Sequence, residues 1–152
     1  STVVDDVESV AEIEVKDARK CAILGDLLRH EGLHGAAVVE YEKAFKKAGN
    51  ISPQIQNKLA TAYIMDTQYT KAEEILKVAL KYYPEYTTTY ISLGELYQRK
   101  GEYDAAVEIL SQANHINPFN PIIHRNLALL YDKLNRKEEA ATELKRLMLL
   151  GK

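Results

Sequence analysis

The chain repeats itself, and that repetition limits its possible folds more than any other feature. Residues 53–86, PQIQNKLATAYIMDTQYTKAEEILKVALKYYPEY, align without gaps on 87–120, TTTYISLGELYQRKGEYDAAVEILSQANHINPFN. Leu59 falls on Leu93, Tyr63 on Tyr97, Tyr69 on Tyr103, Ala72 on Ala106, Ala79 on Ala113 and Pro84 on Pro118. From Pro121 the phase continues through Leu127, Ala128, Tyr131, Ala140 and Leu144. Upstream, 18–52 follows with one extra residue near AGNIS and aligns Leu24, Gly25, Leu28, Gly32, Ala37, Tyr41 and Ala44. The period is 34 residues, from 53 to 87 to 121. A unit that short cannot bury its apolar face alone and must stack on its neighbours.

Each unit reads as two amphipathic segments of roughly 12–14 residues, enough for helices of about three turns. In 87–120, Tyr90, Leu93, Leu96 and Tyr97 share one helical face, as do Tyr103, Ala106, Val107, Leu110 and Ala113 in the second segment. Gly94 and Ala106 are small enough for two helix backbones to approach closely. Gly101 stands at the break, where a residue free to take positive φ suits a helix end. Ser52-Pro53 and Asn120-Pro121 read as helix starts, a capping side chain followed by proline in the first turn.

These positions resemble the tetratricopeptide repeat (TPR) family. Its motif has a Leu-Gly-x-x-Tyr block, a turn glycine followed by an aromatic, a later alanine and a closing proline. Here they are Leu93-Gly94 with Tyr97, Gly101 with Tyr103, then Ala106, Ala113 and Pro118. The resemblance covers 18–152 and implies an all-α, right-handed α-solenoid of about four antiparallel helix pairs, a TPR superhelix. The expected repeats are 18–52, 53–86, 87–120 and 121–152, hereafter repeats one to four. There are departures: Thr67 and Asn135 replace the turn glycine, Lys137 the aromatic after it, and Gly49 stands where the closing proline would be. Residues 1–17 carry six acids and one lysine. They read as a linker or as an extra helix leading into repeat one, with Val3, Val7, Val10 and Glu14 as a partial stripe.

One string points elsewhere. His30-Glu31-Gly32-Leu33-His34 fits H-E-x-x-H, which binds zinc only when both histidines share a continuous helix. In the repeat register Gly32 aligns with Gly101 and His34 with Tyr103, so the string straddles a turn and His34 takes an aromatic slot. His124 falls where Tyr90 sits in repeat three and Cys21 falls there in repeat one, which are packing positions. No Gly-rich phosphate loop and no catalytic constellation is present, so no enzyme activity and no cofactor or metal is expected. The net charge of -2 and the lack of a basic run argue against nucleic acid as a partner. No apolar stretch is long enough for membrane insertion. The single cysteine, Cys21, excludes a disulfide framework and leaves the compartment open.

The family resemblance places partner contacts on the first helix of each repeat, along a concave groove. That implies Arg19, Ile23, Asp26, Arg29 and His30 in repeat one, and Asn57, Lys58, Thr61, Ile64 and Met65 in repeat two. It implies Ile91, Ser92, Glu95, Gln98 and Arg99 in repeat three, and Ile122, Arg125, Asn126 and Leu129 in repeat four. Branched apolar residues among Asn, Arg and Lys suit a peptide or helix with apolar anchors and polar orientation. The family's chaperone-tail clamp is a fixed set of Lys, Asn and Arg. The aligned positions are Asn57, Thr61, Ser92, Ile122 and Asn126, or one repeat earlier Ala22, Asp26, Lys58, Thr88 and Ser92, and neither set matches. In KYYPEYTTTY, Tyr82 and Tyr90 fall in packing slots, whereas Tyr83 and Tyr86 are candidate surface contacts. The last helix, with Leu144, Leu147, Met148 and Leu150, lacks a polar cap and predicts packing against another subunit or domain, self-association included. The expected function is a protein-interaction scaffold; the alternative is an accessory domain of a larger enzyme or signalling protein that mediates docking or oligomerisation.

Overall fold

The computed structural model describes residues 2–151, with side chains from 12 to 151. Among these the chain forms eight α-helices: α1 (Thr2–His30), α2 (His34–Ala48), α3 (Pro53–Met65), α4 (Tyr69–Tyr82), α5 (Thr87–Arg99), α6 (Tyr103–Ile116), α7 (Pro121–Lys133) and α8 (Lys137–Leu150). A single 3₁₀ turn, Gly49–Ile51, takes up the extra residue of repeat one. The fold is all-α and of the TPR helical-solenoid class. The helices through Tyr82 form one compact unit, and those from Tyr83 onward form a second. In the first, α1 packs on α2, α2 on α3 and α3 on α4; in the second, α5 packs on α6, α6 on α7 and α7 on α8. The backbone from Thr2 to His30 is one unbroken helix. The Val3, Val7 and Val10 stripe lies outside the residues whose side chains are described.

The turn inside each repeat is the same device four times. Gly32, Thr67, Gly101 and Asn135 all have positive φ, at 80°, 61°, 77° and 59°. Each donates its N–H to the carbonyl three residues back, and the next residue reaches the carbonyl five back: Leu33 to Leu28, Gln68 to Tyr63, Glu102 to Tyr97 and Arg136 to Tyr131. This paired pattern ends a helix by satisfying carbonyls the helix leaves free. Helix starts are capped where expected: Ser52 Oγ accepts the Ile55 N–H at 3.2 Å and Asn120 Oδ1 the Ile122 N–H at 2.9 Å.

Each core is a row of small-against-large contacts. A Cβ added at Gly25 would lie 2.5 Å from Tyr41 Cε1, and one at Gly94 would lie 2.9 Å from Leu110 Cγ. Tyr41, Leu59, Leu76, Leu93, Leu110 and Leu127 are fully buried behind Ala37, Ala72 and Ala106.

One register slot is filled differently in successive repeats. Gln56 Nε2 donates to Asn50 Oδ1 at 3.0 Å, Tyr90 Oη to the Pro84 carbonyl at 2.6 Å, and His124 Nε2 lies 2.6 Å from the Pro118 carbonyl. His124 thus has the packing role its position implied, with an addition. Its Nδ1 lies 2.6 Å from Glu143, which stands where repeat three has Ile109, and Arg146 donates to the same carboxylate at 2.9 Å. Each ring nitrogen thus has an oxygen partner.

The turns and this buried pair can each be tested by substitution. Thr67→Gly relieves a β-branched residue held at positive φ and should stabilise the fold by about 1 kcal/mol in urea denaturation. His124→Tyr or Glu143→Ile alone should destabilise by about 3 kcal/mol, because each strips a buried partner. The double variant recreates the repeat-three pair and should recover most of that loss; simple additivity would refute the coupling.

Candidate functional site

The first helix of each repeat carries the residues singled out for binding. In the first unit, α1 and α3 enclose a groove of about 410 Å³ whose lining includes Val15, Arg19, Ile23, Asp26, Ile55 and Lys58. Ile23 is exposed on it, as an apolar anchor for a ligand must be. At one side Asp26 joins three partners. It accepts from Lys58 Nζ at 2.6 Å and from Tyr41 Oη at 2.5 Å, and Arg29 lies at 4.0 Å. Burial alone would raise the Asp26 carboxyl. The Lys58 and Tyr41 hydrogen bonds, with the Lys58 and Arg29 charges, outweigh it and hold the pKa below its ordinary 3.8. Burial, then the Asp26 hydrogen bond and charge, pushes the Tyr41 hydroxyl up to about 12. Lys58 is therefore neutralised by its neighbour, while Arg19 is exposed on the groove.

In the second unit a smaller depression of about 350 Å³ is lined by Glu95, Gln98 and Arg99 of α5 and Lys133 of α7. Glu95 and Arg99 pair at 3.4 Å. Ile122, Arg125 and Leu129 are exposed on α7, and Ile91 and Asn126 are half-buried.

Several candidates stand elsewhere than expected. Ile64 is fully buried and belongs to the core. The same register position is Arg29, Gln98 or Asp132 in the other repeats; an aliphatic chain there gains by leaving water, having no polar tip to keep in it. Asn57 and Ser92 are also buried. Asn57 Nδ2 donates to the Pro53 carbonyl at 2.9 Å, and Thr61 Oγ1 donates to the Asn57 carbonyl at 3.0 Å, both within α3. Tyr82 is exposed, not packed: as the last residue of α4 it lies at the end of the core stripe, whereas Tyr83 and Tyr86 are half-buried. His30 ends α1 and His34 begins α2, with Gly32 at positive φ between them, so the two imidazoles have no common helix from which to grip a metal.

Sequence reasoning missed a larger cleft in the first unit, of about 810 Å³, between α2 and α4 over α3. Val39, Phe45, Tyr63, Ile75 and Val78 line it, with Lys43, Lys46 and Lys71 among the polar residues. The Lys71 ammonium stands 5.8 Å from the Tyr63 ring centre. Burial, then the Glu42 charge, pushes the Tyr63 hydroxyl up to about 12. The available signal was that Val39 and Val78 fall off the packing stripe of their helices yet are apolar.

This architecture defines a tetratricopeptide-repeat protein. The matching family is that of the cilia and flagella-associated protein 70 C-terminal domain, over residues 3–151, and the chain belongs to it. Among curated relatives, BBSome complex member BBS4 of Bos taurus is 34% identical over 113 residues. That alignment takes in 74% of this chain and 21% of BBS4, so the chain spans about a fifth of that relative's length. Among solved structures, a thermophilic TPR protein of Thermus thermophilus superimposes with a TM-score of 0.77 at 26% identity, over 88% of this chain and 74% of that one. The first TPR of Spaghetti (RPAP3), solved bound to the HSP90 peptide SRMEEVD, superimposes at 0.69 and 19% identity, over 80% of this chain and 95% of that one. No helix among the described residues is long and apolar enough to cross a membrane.

The Asp26 cluster makes a pH prediction. With its folded pKa depressed, Asp26 contributes stability that is present above the unfolded carboxyl value near ~3.9 and lost as pH falls through the lower folded value. Asp26→Asn should therefore cost about 1 kcal/mol at neutral pH and flatten the acid limb of the stability curve in urea titrations. An unchanged acid limb would contradict the assignment.

Proposed function

We propose that this chain is a protein-interaction module that binds a peptide or helical segment of a partner along the first-helix faces of its repeats. The observation that carries the reading is the groove between α1 and α3, where exposed Ile23 stands beside the polar pair of Asp26 and Lys58. An apolar anchor next to fixed polar groups gives a ligand both burial and orientation. The polar members of the second unit's face, Glu95, Gln98 and Arg125, with Ile91, Ile122 and Leu129, extend the same chemistry. The Spaghetti domain supports a peptide as the class of ligand, and BBS4, a complex member, supports a protein partner. The ligand differs from an HSP90-type acidic tail. Here the clamp positions hold Asn57, Thr61, Ser92, Ile122 and Asn126, or one repeat earlier Ala22, Asp26, Lys58, Thr88 and Ser92, and neither set matches the clamp's Lys, Asn and Arg residues. On this reading the chain itself performs no catalysis.

The second reading, an accessory domain that docks or oligomerises a larger protein, is favoured by the share of BBS4 that the chain spans, about a fifth. Both readings share one test. Affinity capture with the wild-type chain is compared with Ile23→Asp and Leu129→Asp, and with Val78→Asp on the outer cleft as control. Partners should be lost with the first two variants and retained with the third. Equal capture by all four chains would refute the first-helix faces as the binding site.

A further inference from the structure

The cleft between α2 and α4 is apolar where the fold does not require it to be. Two repeats on, its floor residues Leu59 and Tyr63 recur as Leu127 and Tyr131. The walls do not recur: Val39, Phe45, Ile75 and Val78 stand where the register has Glu108, Asn114, Glu143 and Arg146. At Val39 the other three repeats carry Glu74, Glu108 and Thr142, and at Val78 they carry Lys43, Gln112 and Arg146. Helix pairs of this kind therefore pack with polar walls too. The apolar ones leave Val39 51% and Val78 38% exposed, with nothing gained inside the core. Three consecutive helices build this cleft, and none of them is the first or the last.

The charge of the walls changes as well. Two repeats on, the acids Glu108, Glu139 and Glu143 stand at the positions of Val39, Lys71 and Ile75. Here Lys43, Lys46 and Lys71 outnumber Glu42 and Glu74. Lys43 is paired with Glu40 at 3.0 Å, and Glu42 stands beside the Tyr63 hydroxyl. Lys46 and Lys71 are exposed and, among the described residues, make no ion pair. Short connections make α3 antiparallel to both neighbours, so α2 and α4 run the same way. Lys71, early in α4, and Lys46, late in α2, therefore mark opposite ends of the cleft. Each wall is a stripe of two helical turns, 39–46 and 71–78, or about 10 Å.

We propose that this cleft is a second binding site, distinct from the first-helix faces, that takes an acidic amphipathic helix of a partner protein. Its apolar stripe lies on Val39, Phe45, Ile75 and Val78, and its acidic flanks meet Lys46 and Lys71. Both wall valines are open to solvent, so the cleft suits one face of a larger segment, whereas a small ligand needs a site that closes around it. The walls and floor are helices whose backbone N–H and C=O groups are satisfied internally. An extended peptide would find no backbone partners over that apolar floor, and a helix brings its own. Unpaired lysines at both ends select acidic residues and repel a basic helix.

The test is fluorescence anisotropy with the 152-residue chain and a labelled synthetic peptide of about 20 residues, long enough to be helical alone. The peptide carries leucines at i, i+3, i+4 and i+7 with glutamates on both flanks. One control peptide has lysines in place of the glutamates, and another has its helix broken by prolines. The acidic helix should bind about tenfold more tightly than the basic one, the worth of two exposed ion pairs, and weaken with added salt. Lys46→Glu with Lys71→Glu should reverse that order. Val39→Glu with Val78→Gln installs the residues repeat three carries and should abolish binding while circular dichroism and the thermal midpoint stay unchanged; Val39→Glu alone serves if the pair lowers the midpoint. Ile23→Asp should bind the acidic helix as the wild type does. A wild type that binds neither helix, or both alike, overturns the proposal, as does a charge swap without reversal. So does equal binding of the proline-broken peptide, which points to an extended ligand, or loss of binding in Ile23→Asp, which puts the helix on the first-helix faces.

Discussion

In the hairpins of repeats one and three a backbone without a side chain meets a large side chain from the opposite helix, and the packing of those hairpins is arranged around that meeting. At Gly25 the ring edge of Tyr41 occupies the space a Cβ would need, and at Gly94 the branch point of Leu110 does the same. In those hairpins Ala37 and Ala106 of the second helices are fully buried, as is Ala72 where Ala60 takes the glycine's place. Glycine inside a helix costs about 1 kcal/mol against alanine. Overpacking a filled core costs about 1–3 kcal/mol, so glycine is the less costly choice wherever the opposing side chain is as large and as fixed as Tyr41.

Once that contact is set, the repeats diverge in how they treat polar groups. Gln56, Tyr90 and His124 occupy one slot and each hydrogen-bonds near the corner preceding its helix, through an amide, a hydroxyl and an imidazole. Repeat four adds the buried Glu143 where repeat three has an isoleucine, and His124 and Arg146 partner its carboxyl group. Repeats one and two are joined by the Asp26 carboxylate, which ties α1 to α2 through Tyr41 and to α3 through Lys58. That carboxylate therefore serves packing between repeats before it serves any ligand. It also removes the positive charge that Lys58 would otherwise offer to an acidic peptide.

How much of this was legible in the sequence divides by range. The 34-residue period, the helix pairs, the proline-led starts and the four turns were all readable. Each depends on residues a few positions apart, and one helical face imposes the same spacing in every repeat. Even Thr67 and Asn135 could be named as turn residues, because the phase demanded positive φ there whatever the side chain. The His30–His34 string lost its zinc-peptidase context for the same reason: register put a turn through it. Ile64, Asn57 and Ser92 were placed on the binding face, yet they are buried. Position on a helix states which way a side chain leaves the backbone and not what neighbour lies over it.

The sequence by itself therefore determined the repeating unit, its two helices, its turn and its inward stripe, since local sterics and a 3.6-residue periodicity act within one segment of chain. Tertiary structure alone decided which equivalent residues are covered. Leu24 and Leu59 are the same letter in the same phase, and one is open where the other is closed. Burial comes from the helix packed over a residue, as α2 packs on α3, and a single segment's letters do not carry that information.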